Sequence, residues 1–135
     1  MACPFFEPLE RLQEAATRVP LGDLWRGTCN VEGAPYIPDD SAISELCNMG
    51  YARGRCPRYP RAGEGDAVRF LIARDQEDLI RIEYVVERNH HPHMHGVLEY
   101  SRALGDFSGL SANVLLARQA QAFVTSYLRR RPVAA

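Results

Sequence analysis

The chain has 135 residues, of which 46% are hydrophobic and 24% are charged, and its formal net charge is −1. This length suits one domain, and this composition is typical of folded globular proteins, so intrinsic disorder is not expected. A net charge near zero excludes a strong overall attraction to nucleic acid or to an anionic membrane.

The cytoplasm is the compartment that we expect from the sequence. The first ten residues lack the basic start and the apolar run of a secretory signal, and no apolar stretch approaches the roughly 20 residues of a membrane span. In a reducing compartment, an even number of cysteines indicates metal binding or catalysis, whereas outside the cell it would indicate disulfides.

The first half of the chain is predicted to contain little regular structure. Apolar residues at helical spacing predict a helix over residues 7–17, and the many prolines and glycines of residues 19–39 predict an extended, ordered loop. A second helix is predicted to be capped by Asp40 or Ser41 and to end at Gly50, with Cys47 in its last turn. A loop rich in Gly, Pro and Arg follows.

The second half shows a period of two that predicts an antiparallel hairpin, with a polar turn at residues 75–78. A polar connection over residues 89–95 leads to a third strand at 97–100, and a helix over 110–130 has the apolar stripe needed to cover the sheet. We therefore predict an α+β fold in one domain. A three-stranded β-meander packs on the C-terminal helix (residues 67–135), and a loop-rich half (residues 1–66) is centred on a metal site.

Four cysteines are the candidate metal ligands, and all of them lie in the loop-rich half: Cys3, Cys29, Cys47 and Cys56. They fall on the N-terminus, the long loop, the second helix and the Arg-rich loop. A metal bound to all four would cross-link segments that have few apolar residues with which to build a core.

The spacing of the cysteines favours an iron–sulfur cluster over zinc. Structural zinc sites usually take ligands in pairs two to four residues apart, whereas the gaps here are 25, 17 and 8 residues. A [4Fe–4S] cluster is larger than one ion, so its ligands can come from separate segments. The Cys-Pro pairs at Cys3 and Cys56 resemble the last cysteine of the bacterial ferredoxin motif, but its close spacing is absent, so no family is assigned.

The predicted function is therefore electron transfer or redox sensing by one [4Fe–4S] cluster, together with a redox partner protein. Full ligation by thiolates leaves no open position for a substrate, so catalysis is not expected. The alternatives are a structural or binding module stabilised by Zn²⁺ on the same four cysteines, and a protein whose thiols are free or form disulfides.

Side chains near the cysteines fit a buried, negatively charged centre. Aromatic residues that could shield it from water are Trp25, Tyr36, Tyr51 and Tyr59, and arginines that could balance its charge are Arg53, Arg55, Arg58 and Arg61. The alternative interpretations are ordinary core packing and solvated charges. Interleaved aromatic and arginine residues over 51–61 also suit single-stranded nucleic acid, but a net charge near zero argues against this interpretation.

The four histidines of the chain all lie in the segment 90–95. In an extended conformation, His91, His93 and His95 would point to one side and could bind a second metal ion. Pro92 argues against a regular strand, and the alternative is a polar connection with exposed histidines.

Overall fold

The computed structural model describes residues 2–13, 24–31, 36–52, 55–57, 59, 65–108 and 114–130. In chain order, these residues form the strands β1 (Phe6–Gln13) and β2 (Leu24–Cys29), the short helix α1 (Asp40–Ala42), a π-helical turn (Ile43–Cys47), the strands β3 (Ala67–Gln76), β4 (Leu79–Arg88), β5 (His91–Ser101) and β6 (Asp106–Ser108), and the helix α2 (Val114–Arg130). The prediction of an α+β fold with antiparallel strands and a long C-terminal helix is confirmed.

The larger sheet has four antiparallel strands in the order β3-β4-β5-β6, so the prediction of three strands is wrong. The hairpin of β3 and β4 is confirmed, with its apolar residues alternating as expected toward the core. Its turn is Glu77 and Asp78 rather than the predicted 75–78, because Asp75 and Gln76 pair with β4 as part of β3. The additional strand, β6, has three residues and is too short to carry a periodic pattern. Its Phe107 is buried against the Tyr100 ring of β5, with the centroids 5.3 Å apart.

The connection between β4 and β5 is a two-residue turn rather than the predicted polar segment over residues 89–95. Asn89 and His90 both have positive φ angles, 51° and 64°, as in the tight turns that match the twist of a hairpin. Strand β5 therefore begins at His91 and extends six residues further toward the N-terminus than the predicted third strand.

The predicted helix over residues 7–17 is wrong as far as the structure describes this segment, because residues 6–13 form β1, while residues 14–17 lie outside the described residues. Strand β1 pairs with β2, which lies inside the predicted loop over 19–39. Pro8 has no N–H to donate, and the pairing is irregular between Pro8 and Glu10. Gly27 lies so close to β1 that a Cβ atom would be 1.8 Å from the carbonyl oxygen of Glu7.

The second predicted helix is present but differs in its cap and in its last turn. Asp39, rather than Asp40 or Ser41, accepts the hydrogen bond from the N–H of Ala42 at 2.8 Å. The turn that follows α1 is wider than an α-helix, since the N–H of Asn48 donates to the carbonyl of Ile43. Gly50 ends the segment with φ 79°, as predicted.

Helix α2 covers the larger sheet, as predicted, and also contacts the N-terminal segment. Toward the sheet, the Phe123 ring stacks on Phe70 of β3, with the centroids 5.5 Å apart. Toward the N-terminal segment, Gln119 donates to the carbonyls of Cys3 and Phe6. Because α2 has neighbours on two sides, its buried arc is wider than the predicted stripe.

One hydrophobic cluster includes buried residues from both halves of the chain, among them Phe6 and Trp25 from the first half and Ile80 and Ile82 from the second. The first half therefore contributes a two-stranded sheet and several core side chains. Among the described residues, the first half thus has more regular structure and more core side chains than predicted, and its core side chains belong to the cluster that it shares with the second half.

Candidate metal centre

All four cysteines line one cavity, although they come from four separate segments of the chain. The cavity has a volume of about 240 Å³, and its other lining residues are Val31, Tyr36, Pro38, Asp39, Ala42, Leu46, Ala52, Pro57 and Tyr59. This volume is many times the roughly 10–15 Å³ that accommodates one water molecule. The four thiols are free, with no disulfide among them.

Cys3 lies in a turn that is held by three different elements. The backbone of Ala2 exchanges two hydrogen bonds with Val68 of β3, at 2.8 and 2.7 Å. The N–H of Cys3 donates to the carbonyl of Cys47 at 3.0 Å. The carbonyl of Cys3 accepts a hydrogen bond of 2.7 Å from Gln119 of α2. These bonds connect Cys3 directly to the segment that carries Cys47.

Cys29 is the last residue of β2, where two pairings meet. Within the smaller sheet it lies opposite Phe6. On its other side it forms an isolated bridge with Tyr36, with hydrogen bonds of 2.7 and 2.9 Å between the two backbones. This bridge places Tyr36 beside Cys29, and Tyr36 is part of the lining of the cavity.

Cys47 ends the π-helical turn, and the next residue fixes that turn to β2. The side chain of Asn48 is fully buried and accepts from the N–H of Trp25 at 3.0 Å. It also donates to the carbonyls of Trp25 and Ile43, both at 2.9 Å. Three hydrogen bonds from one amide therefore set the position of Cys47 relative to the strand that carries Cys29.

Cys56 lies in a short turn. Its N–H donates to the carbonyl of Ala52 at 2.7 Å, and its own carbonyl accepts from the N–H of Tyr59 at 3.1 Å. The hydroxyl of Tyr59 donates to the carbonyl of Gly65, at the entrance to β3. Tyr59 is buried and lines the cavity beside the cysteines.

Neighbouring thiols lie close enough to raise the pKa of Cys3 and of Cys47. Burial is the largest cause that raises the pKa of Cys3 to about 12, and the charges of the other three cysteines raise it further. Burial also raises the pKa of Cys47 to about 12, with further contributions from Cys29, Cys56 and Asp39. In the absence of a cation, these two thiols are therefore neutral at pH 7.

The aromatic residues near the cysteines divide into two groups. Tyr36 and Tyr59 line the cavity. Trp25 is buried in the hydrophobic cluster, and Tyr51 stacks on His90 and donates to Glu87. Of the four arginines, Arg55 is exposed, while the others lie outside the described residues: Arg53, Arg58 and Arg61.

The second-metal interpretation requires the histidines to share one face of the sheet, and they do not. His95 lies opposite Val85 and His91 lies opposite Arg88, three residues further along β4. Residues directly opposite each other share a face, so His91 and His95 fall on opposite faces. The cause is a register shift at His93, which has no partner in β4.

Asn48 and Gln119 are two buried residues of the site that the sequence patterns did not identify. Asn48 follows a helical segment and has the composition of an ordinary loop position. Gln119 lies outside the predicted apolar stripe of α2. In the sequence, each is only a polar residue beside apolar ones. This pattern is common on protein surfaces, so it does not identify a buried residue.

We expect the substitution Asn48→Ala to destabilise the protein by about 3 kcal/mol, because it leaves the N–H and carbonyl of Trp25 without the amide that satisfies them and removes one of the two donors to the carbonyl of Ile43. Urea denaturation of the reduced, metal-free protein measures this change. The matched control is Asn30→Ala, which removes only bonds of 3.3 and 3.4 Å to Thr28 and should cost less than about 1 kcal/mol. Equal losses for the two variants would contradict the positioning role of Asn48.

Comparison with protein-family models, with curated proteins and with solved structures finds no match. In the part of the chain that the structure describes, no group of three or more His, Cys, Asp or Glu side chains is found that could hold a metal ion. No helix there is long and apolar enough to cross a membrane.

Proposed function

We propose that this protein binds one [4Fe–4S] cluster through Cys3, Cys29, Cys47 and Cys56 and uses it for electron transfer or redox sensing. The observation that carries the proposal is that four cysteines, separated by up to 53 positions, line a single cavity. Free cysteines are often buried as small apolar side chains, and among the described residues no three such ligands are grouped to hold a metal ion, but four thiols around one cavity are the donor set that a cluster would need.

The size of the cavity favours a cluster over zinc. Four thiolates around zinc must each bring their sulfur to about 2.3 Å from one point, which leaves no room for a cavity between them. A [4Fe–4S] cluster instead places each thiolate on a different iron, so its sulfurs surround a larger space. The cavity of about 240 Å³ suits the second arrangement.

Burial raises the pKa of Cys3 and of Cys47, so a bound centre would have to compensate the charge of their thiolates. A buried thiolate is unfavourable unless a positive charge compensates it, and iron supplies that charge when the cluster binds. Because each iron would be held by one cysteine, no coordination position is open to a substrate. Reversible gain and loss of one electron is therefore the chemistry that we assign to the site.

The test is anaerobic purification, or reconstitution with iron and sulfide, followed by visible spectroscopy and metal analysis. We expect a brown protein with about four irons and four sulfides per chain, and a paramagnetic signal after reduction with dithionite. A colourless protein with one zinc per chain would replace this proposal with a zinc-stabilised structural module. A protein with neither metal would refute both.

A further inference from the structure

The residues that line the cavity differ in exposure, and the difference shows where the cavity opens. The closed side is formed by buried residues: Cys3, Cys29, Val31, Pro38, Ala52 and Tyr59. Three lining residues are exposed, namely Tyr36, Asp39 and Pro57, and four have intermediate exposure, namely Ala42, Leu46, Cys47 and Cys56. We call the three exposed residues, together with Cys47 and Cys56, the mouth of the cavity.

The other two cysteines, Cys3 and Cys29, are buried beneath other segments of the chain. Cys3 is 7% exposed and lies beneath Gln119 of α2 and the start of β3. Cys29 is 9% exposed and lies between its two backbone pairings with Phe6 and Tyr36. An external molecule can therefore approach a bound centre more closely at the mouth than past either of these two cysteines.

We propose that electrons enter and leave the cluster through the mouth, over Cys47 and Cys56, and that an external electron donor or acceptor makes contact there, beside Tyr36 and Ile37. This inference rests on the proposed function. Electron transfer slows steeply with distance, so electrons pass where an external molecule can come closest to the cluster. Ile37 is 73% exposed and Tyr36 is 44% exposed, and together they provide an apolar contact beside the mouth.

The experiment places a charge at the contact position and follows electron transfer to small oxidants of either sign. In Ile37→Arg and Ile37→Asp, the cluster reduced with dithionite gives one electron to hexaammineruthenium(III), a trivalent cation, or to tris(oxalato)cobaltate(III), a trivalent anion. Each transfer oxidises the cluster from the 1+ to the 2+ state and reduces one Ru(III) or Co(III) ion to the divalent state. Stopped-flow absorption measures the rate.

We expect Ile37→Arg to slow oxidation by the cation and to accelerate oxidation by the anion, and Ile37→Asp to do the reverse. One charge about 8 Å from a trivalent ion changes the rate about threefold at 0.1 M ionic strength, and the change should vanish near 1 M, where screening is almost complete. Substitution of a side chain that is 73% exposed leaves the core unchanged.

The matched controls are Leu104→Arg and Leu104→Asp. Leu104 is 75% exposed and lies in the turn after β5, beside the end of β4 that starts at Leu79. The opposite end of β4 leads to His90, whose N–H bonds to Tyr51 near the cysteine loop. Leu104 is therefore separated from the His90 end of β4 by the length of that strand, about 30 Å. This distance is beyond the reach of a screened charge.

The outcomes separate the two proposals. If the cluster forms and the Leu104 variants change the rates as much as the Ile37 variants do, or if no variant changes them, electrons do not pass through the mouth, although the proposed function stands. If no cluster forms in the unmodified protein, the proposed function fails, and this inference fails with it.

Discussion

Replacing any one of the four cysteines with alanine is expected to abolish the visible absorption and to reduce bound iron and sulfide to near zero. Each thiolate is the protein ligand of one iron in the proposed centre, so the loss of one ligand exposes that iron and weakens the whole cluster. Anaerobic reconstitution of Cys3→Ala, Cys29→Ala, Cys47→Ala and Cys56→Ala, with iron and sulfide analysis, measures this effect.

The matched control is Val31→Ala. Val31 is 4% exposed and lines the same cavity, but it has no atom that can bind iron. Its truncation should cost about 1–2 kcal/mol of stability and leave the iron content unchanged. A cysteine variant that keeps the full iron content would remove that cysteine from the ligand set, and loss of iron in Val31→Ala would show that the assay reports on folding rather than on ligation.

The free energy of unfolding of the metal-free protein is expected to fall as the pH rises from 9 toward 12. An unfolded cysteine titrates near 9.0, whereas burial raises the pKa of Cys3 and of Cys47 to about 12 in the folded protein. Between these values the folded state holds protons that the unfolded state has released. Stability is therefore complete below pH 9 and is lost as the pH rises through this window.

The contribution of Cys3 amounts to about 2.5 kcal/mol between pH 8 and pH 11, since one extra proton gives a slope of about 1.4 kcal/mol per pH unit. The chain has no lysine, so its cysteines and tyrosines are the side chains that titrate in this range. Tyr51 adds to the slope, because burial and the hydrogen bond to Glu87 raise its pKa to about 12.

Urea denaturation under anaerobic, reducing conditions at a series of pH values measures this dependence. Cys3→Ala should flatten the curve by the amount assigned to Cys3, and Tyr51→Phe should remove the part due to the phenol. A free energy that stays constant from pH 8 to pH 11 would contradict the burial of these thiols.

The same linkage predicts that the metal binds more weakly at low pH, because its thiolate ligands must release their protons.

The β3–β4 hairpin and the C-terminal helix were predictable because their signals are local. The alternation of apolar and polar residues in the two strands between Val68 and Val86 predicts a sheet with one buried face. The apolar stripe from Leu116 to Tyr127 predicts a helix that lies on that sheet. The first strand was not predictable in this way. Residues 6–13 have apolar residues at helical spacing, but β2 supplies hydrogen-bond partners that lie far away in the chain.

By itself, the sequence determined the number of cysteines, their wide spacing, the fold class and the two long elements of the second half, since composition and short-range periodicity suffice for these. Only the tertiary structure decided that the four cysteines line one cavity, that Asn48 and Gln119 position two of them, and that the histidines fall on different faces. The reason is that these relations depend on strand pairing, helix packing and one register shift, and none of these leaves a signal in neighbouring residues.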